Sequence, residues 1–136
     1  MISAEAITKA QFYDVDATQV VWHGNYARFL ELARCALMEK IGYSYPEMAR
    51  SGYLWPIVEL RIKYVRPVRM AQQIRLSATL LEYENRLRID YRIVDAANGG
   101  LLSKAQTTQL AVAIGTGELA FNCPNELVDK VRALLG

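Results

Sequence analysis

The hydrophobic period of this chain changes once, and that change limits what it can fold into. Over residues 25–41 the period is helical. At 100° per residue Tyr26, Phe29, Leu30, Ala33, Ala36, Leu37 and Ile41 gather on one face, with Arg28, Glu31 and Glu39 on the other. Gly42 is placed to stop the helix. The small residues Ala33, Cys35 and Ala36 let a neighbour pack closely. From Tyr53 onward the period is two. "IVELRIKYV", "QIRLSATLLEY", "RLRIDYRIV" and "LLSKAQTTQLAVAI" are four strand candidates, broken by the turn-rich "RPVRMAQ", "YEN" and "AANGG". In the third, Leu87, Ile89, Tyr91 and Ile93 alternate with Arg88, Asp90 and Arg92, which gives one buried and one wet face.

Residues 6–13 read as a further short strand. "SYPEMARSG" reads as a turn or two of helix with Pro46 early and Gly52 at its end, and 125–134 as a last helix after Pro124. One long helix against five mostly antiparallel strands is an α+β layer structure, with the sheet curled around the apolar helix face. The fourth and fifth strands are long, and an exposed edge of that length invites pairing with a second copy.

A chain of 136 residues is most simply one domain, 1–136. A net charge of +2, with basic residues spread singly along the strands, gives no nucleic-acid footprint. Cys35 and Cys123 stand far apart, and one histidine in the whole chain leaves no metal-ligand set. Two unpatterned thiols fit a reducing compartment, and "MISAEAITKA" has no apolar signal region. No apolar run has membrane-spanning length. The expectation is a cytoplasmic protein with no membrane span.

Reactive side chains crowd just ahead of the long helix, in "DVDATQVVWHGNY". A helix starting near Gly24 or Asn25 presents unpaired N–H groups and a partly positive end, which polarise a carbonyl and hold an oxyanion. Gly24, without a side chain, lets a substrate come close to the backbone. Asp16, a short loop upstream, is a candidate to attack a carbonyl or to take a proton from water; Asp14 or Asp16 serving as a turn cap is the plainer alternative. His23 is a candidate carbonyl partner, or a cap. Tyr26 falls on the apolar stripe and reads as core, Trp22 reads equally as core or site, and Asn25 as a cap. Glu31 and Arg34, three apart, read as a surface pair of small weight.

The order acid, short loop, Val20-Val21, Trp22, His23, two residues, Tyr26, followed by "FLELARCALMEKIG" and "VELRIKYVRPVRM", resembles the acyl-CoA thioesterases of the hot-dog fold. It is similar to the 4-hydroxybenzoyl-CoA and Tol-Pal-associated types, and "VVWHGNY" resembles thioesterases of the aryl polyene pathway branch. The resemblance implies a five-stranded antiparallel sheet wrapped around the central helix, two subunits joining their sheets, and a homodimer or homotetramer. It implies hydrolysis of an acyl-CoA or acyl-carrier-protein thioester without a cofactor. Asp16 and His23 would be catalytic, and Trp22, Gly24, Asn25 and Tyr26 would line the substrate site. Ile57, Val58 and Glu59 of the second subunit would close the acyl pocket. Lys63, Arg66 and Arg69 are the candidates for the CoA phosphates.

The chain departs from that pattern at Thr18 and Gln19, where glycines are common; at Phe12, where some relatives have a tyrosine; and at "MAQQI", which replaces a Gly-Asp pair. Two other functions fit the same residues. One is hydration or dehydration of a 3-hydroxyacyl thioester by His23 with Glu31; the other is acyl or acyl-carrier binding without catalysis.

Overall fold

The computed structural model describes residues 1–136. Five strands form one antiparallel sheet: β1 (Ser3–Lys9), β3 (Ile57–Tyr64), β4 (Gln73–Glu82), β5 (Leu87–Asp95) and β6 (Leu101–Gln109), in the order β1-β4-β5-β6-β3. A two-residue strand, β2 (Tyr53–Leu54), pairs with β7 (Val112–Ala113) outside it. The long helix α1 (Tyr26–Ile41) packs on one face of the sheet, against β1, β4 and β5. Shorter helices α2 (Tyr45–Arg50) and α3 (Asn125–Leu135) flank it.

The two hydrophobic periods meet in the core. Phe29, Leu30, Ala33, Leu37, Met38 and Ile41 of α1 are buried against Ile74, Leu76 and Ala78 of β4 and Leu87, Ile89, Tyr91 and Ile93 of β5. Truncating one such side chain, Leu37→Ala for example, removes about 2–5 kcal/mol of stability. Gly42 ends the helix in the left-handed region at φ +87°, its N–H donating to the carbonyls of Met38 and Glu39.

Three details depart from the sequence expectation. The first strand runs Ser3–Lys9 and stops before Phe12, because Ala10 turns to bond Gln72 and Ala71, and a 3-10 turn (Phe12–Asp14) follows. The last strand breaks after Gln109, which is already paired on both sides, by Leu87 and Ile57; Val112 and Ala113 then serve the small ribbon. The two long later strands, β5 and β6, lie inside the sheet, since β6 pairs with β3 as well as β5. The open edges are β1 and β3. On β3 every residue is at least partly exposed, including the apolar Ile57, Val58 and Leu60.

Candidate active site

The loop before α1 gives its two acids different work. Asp14 is buried. Its carboxylate accepts the Gln11 N–H and is ion-paired with Arg28, while its carbonyl accepts the Trp22 N–H and the Asn25 side-chain amide. Asp14 is therefore the structural acid, holding the two ends of the loop together. Asn25 does not cap α1 with its side chain, which instead reaches back to the Asp14 carbonyl, 11 residues upstream.

Asp16 is exposed at the loop tip. The Thr18 N–H (2.8 Å) and the Thr18 hydroxyl donate to one of its oxygens, Oδ1; Oδ2 has no protein donor. The Thr18 hydroxyl, then the Thr18 N–H, hold this carboxyl below the usual aspartate range, and His23 nearby adds a smaller pull the same way. The loop closes by Asp16 N–H to Val20 and Gln19 N–H to Asp16, which forces Gln19 into the left-handed region at φ +67°. The turn that supports it does the same at Ala71, φ +68°. Both are positions where the chain departs from the glycine-rich pattern.

A 3-10 turn (His23–Asn25) leads into α1. The backbone N–H groups of His23 and Gly24 have no backbone acceptor, so two donors stand open at the positive end of a 16-residue helix. The turn is fixed from the sheet by Tyr64, whose hydroxyl donates to the His23 carbonyl at 3.0 Å and whose ring meets Tyr26 edge-on at 4.7 Å. Tyr26 is core, as its place on the stripe suggests, and its hydroxyl accepts the Val68 N–H. A cleft of about 250 Å³ lies here, lined by Val21, His23, Tyr26, Tyr64, Val65, Arg66 and Pro67.

Trp22 changes the reading of Gly24. The indole is half exposed and folds back over Gly24, so that a Cβ there would lie 2.3 Å from its ring, and it tilts against His23 at 5.1 Å. The missing side chain at Gly24 makes room for this indole.

Of the remaining candidates, Arg66 borders the His23 cleft and, with Arg69, a second depression of about 260 Å³. Lys63 alternates with Tyr64 and therefore points to the opposite face of the sheet, beside Arg61 and Lys104. Ile57, Val58 and Glu59 sit at the far end of β3 from Tyr64, exposed on the open edge, with a bulge between Ile57 and Glu59. No group of three or more His, Cys, Asp or Glu comes together in a metal-binding arrangement, and no helix is long and apolar enough to cross a membrane.

Glu31 and Arg34 are not a surface pair. Arg34 has 4% of its side chain exposed because it falls between Leu30 and Leu37 on the buried stripe, where Tyr45 of α2 covers it. Desolvation works against its charge, but the oxygens of Tyr91, Tyr45 and Glu31 outweigh it and make the guanidinium a stronger base than usual. Glu31 is bonded to Arg34 and Tyr45, two helical turns from His23. It is therefore committed elsewhere than to an acid–base pair with that histidine. Periodicity gave no sign of Tyr64; for Arg34 the sign was a charged residue standing on an apolar stripe.

The model of the thioesterase-like superfamily matches residues 10–131. A Bacillus subtilis (strain 168) protein provisionally named an acyl-CoA thioesterase is 27% identical over 105 residues, which span 76% of this chain and 75% of that protein. The structure of a DHNA-CoA thioesterase from Staphylococcus aureus aligns with a TM-score of 0.86 at 24% identity, over 99% of this chain and 94% of that one. A 1,4-dihydroxy-2-naphthoyl-CoA thioesterase from Synechocystis aligns with the same TM-score at 19% identity, over 98% of each chain. The shared architecture is the hot-dog fold, a five-stranded antiparallel sheet against a long helix.

Proposed function

The chain belongs to the thioesterase-like superfamily and is a thioester hydrolase; we propose that it cleaves an acyl-CoA to a free acid and CoA, with Asp16 and His23 carrying the reaction. The observation that carries this reading is the pairing of an exposed carboxylate, one oxygen free, with two open N–H donors at the start of α1.

In this reading the thioester oxygen rests against the N–H groups of His23 and Gly24, which stabilise charge as it develops. The free oxygen of Asp16 attacks the carbonyl carbon. The C–S bond breaks, and the CoA thiolate leaves and takes up a proton. Water then opens the mixed anhydride, releasing the acid, a proton and the Asp16 carboxylate. The lowered pKa keeps Asp16 ionised, the form that attack on the carbonyl and activation of a water both require. The His23 imidazole positions the carbonyl or the hydrolytic water.

The open β3 edge supports a homodimer. Antiparallel pairing of two such edges about a two-fold axis, if the strands overlap along their whole length, would set Ile57, Val58 and Glu59 of one copy opposite Ile62, Lys63 and Tyr64 of the other, and Tyr64 is bonded to His23. They would close the acyl pocket, beside Trp22. Arg66 at the cleft, with Arg69, would meet the CoA phosphates; Lys63 faces away and would do so only from the outer surface. A carrier protein presenting the same pantetheine arm is the second substrate class. Two unpaired cysteines support a cytoplasmic site of action.

The test is release of free thiol across acyl-CoAs from short to long chain, with benzoyl and hydroxybenzoyl esters included. Turnover of at least one ester is expected. An enzyme inert toward every CoA ester and every acyl-carrier thioester would contradict the assignment.

A further inference from the structure

Along the helix from the open N–H groups lies a second, more enclosed cavity of about 150 Å³, room for roughly five water-sized groups. Four of its lining residues are apolar: Ala27 and Leu30 of α1, and Ile57 and Leu60 of the open edge strand. Its other lining residues include Glu31, Arg34 and Thr107. A plain chain seated there offers nothing to the guanidinium N–H groups that its neighbours leave open, and keeps water from them.

The polar end is a connected group. Arg34 donates from Nε to the Tyr45 hydroxyl at 3.1 Å, and from Nη2 to the same oxygen and to Glu31. Tyr45 donates on to Glu31, and Tyr91 and Thr107 share a hydrogen bond at 2.8 Å alongside. Tyr45 and Glu31 take three of the five guanidinium N–H donors and the Tyr91 oxygen faces the group as well, which leaves one or two N–H groups for a ligand oxygen. The charges of Arg34 and Glu31 cancel, so a carboxylate brought here gains one attraction and meets one repulsion. A neutral hydroxyl can accept from the guanidinium and donate to the carboxylate.

Position sets the length. Side chains on a helix lean toward its N-terminus, so the Arg34 guanidinium sits near the level of Glu31, which it touches. Glu31 is seven residues from Gly24, about 10 Å along the axis.

We propose that this cavity receives the far end of the acyl group and selects one that ends in a neutral hydroxyl, of medium length, over a plain alkyl chain of the same length. The proposal rests on the thioesterase reading and deepens it. Arg34 is then a specificity residue that acts on the end of the substrate remote from the reacting bond.

The test is kcat/KM for 8-hydroxyoctanoyl-CoA against octanoyl-CoA, with the wild-type enzyme, Arg34→Met and Tyr45→Phe. The expected wild-type preference for the hydroxyl ester is about tenfold or more. It falls to near one in Arg34→Met and to an intermediate value in Tyr45→Phe. Should Arg34→Met not fold, the wild-type ratio and Tyr45→Phe still decide. Equal turnover of both esters by the wild-type enzyme, or turnover of shorter esters only, overturns the selectivity while leaving the hydrolase intact. Inertness toward every thioester tried overturns the thioesterase reading itself, and with it this proposal.

Discussion

The hydroxyl of Tyr64, at the end of the open edge strand, donates to the carbonyl of His23 at 3.0 Å. This bond ties the helix mouth to the strand on which a second copy would dock, so the geometry of the open N–H donors depends on the sheet edge. Tyr64→Phe keeps the ring against Tyr26 and removes only the bond. It is expected to cost about 1 kcal/mol or less in thermal unfolding, and about fivefold in kcat if the whole loss falls on the transition state. An unchanged kcat alongside a lower Tm would make the contact structural only.

Two non-glycine residues, Gln19 and Ala71, sit in the left-handed region, at φ +67° and +68°. The left-handed conformation costs such residues about 1–2 kcal/mol, of which glycine's extra unfolded-state entropy takes back a part. Gln19→Gly and Ala71→Gly are each expected to stabilise by about 0.5–1 kcal/mol, raising Tm by roughly 3 °C. Urea unfolding of the single variants checks this; a loss of stability in both would contradict it.

The Thr18 hydroxyl is the main cause of the low Asp16 pKa, so Thr18→Val raises it while keeping the backbone bond. If ionised Asp16 is the reacting form, the acid limb of kcat/KM follows its pKa in the folded enzyme. For the wild-type protein that limb lies below the usual aspartate range, with activity present above it and lost as pH falls through it. In Thr18→Val the limb moves up in pH. A limb that stays in place would assign it to another group.

A methyl group added at Gly24 collides with the Trp22 indole at 2.3 Å. Gly24→Ala should therefore turn the indole outward, shift tryptophan emission to the red and leave helix content intact. In a Trp22→Phe background the substitution should have no effect on emission, since the remaining Trp55 is buried and bonded to Tyr43. A shift that persists there would place the disturbance elsewhere.

The long helix and the alternation of Leu87 to Ile93 were legible because each is a local period, and burial follows it residue by residue. Which strand forms the open edge was not. It depends on β6 pairing with both β5 and β3, a long-range choice that periodicity does not encode. Arg34 was misread because its charge outweighed its place on the stripe; Leu30, Arg34, Leu37 and Ile41 together carry the spacing of a buried face. In the loop, the order acid, aromatic, histidine, glycine was plain. The division of labour between Asp14 and Asp16 was not, because it is set by Arg28 and Gln11 reaching one acid and Thr18 the other.

That division supplies the most direct test of the account: thiol release from a turned-over acyl-CoA by Asp16→Asn, measured beside Asp14→Asn with Tm recorded for both. The account predicts that Asp16→Asn loses between about a hundredfold and ten-thousandfold in kcat while its Tm holds. Asp14→Asn leaves a half-exposed Arg28 unpaired and loses about 2 kcal/mol of stability, with its kcat per folded molecule retained. Wild-type turnover in a folded Asp16→Asn enzyme would contradict it.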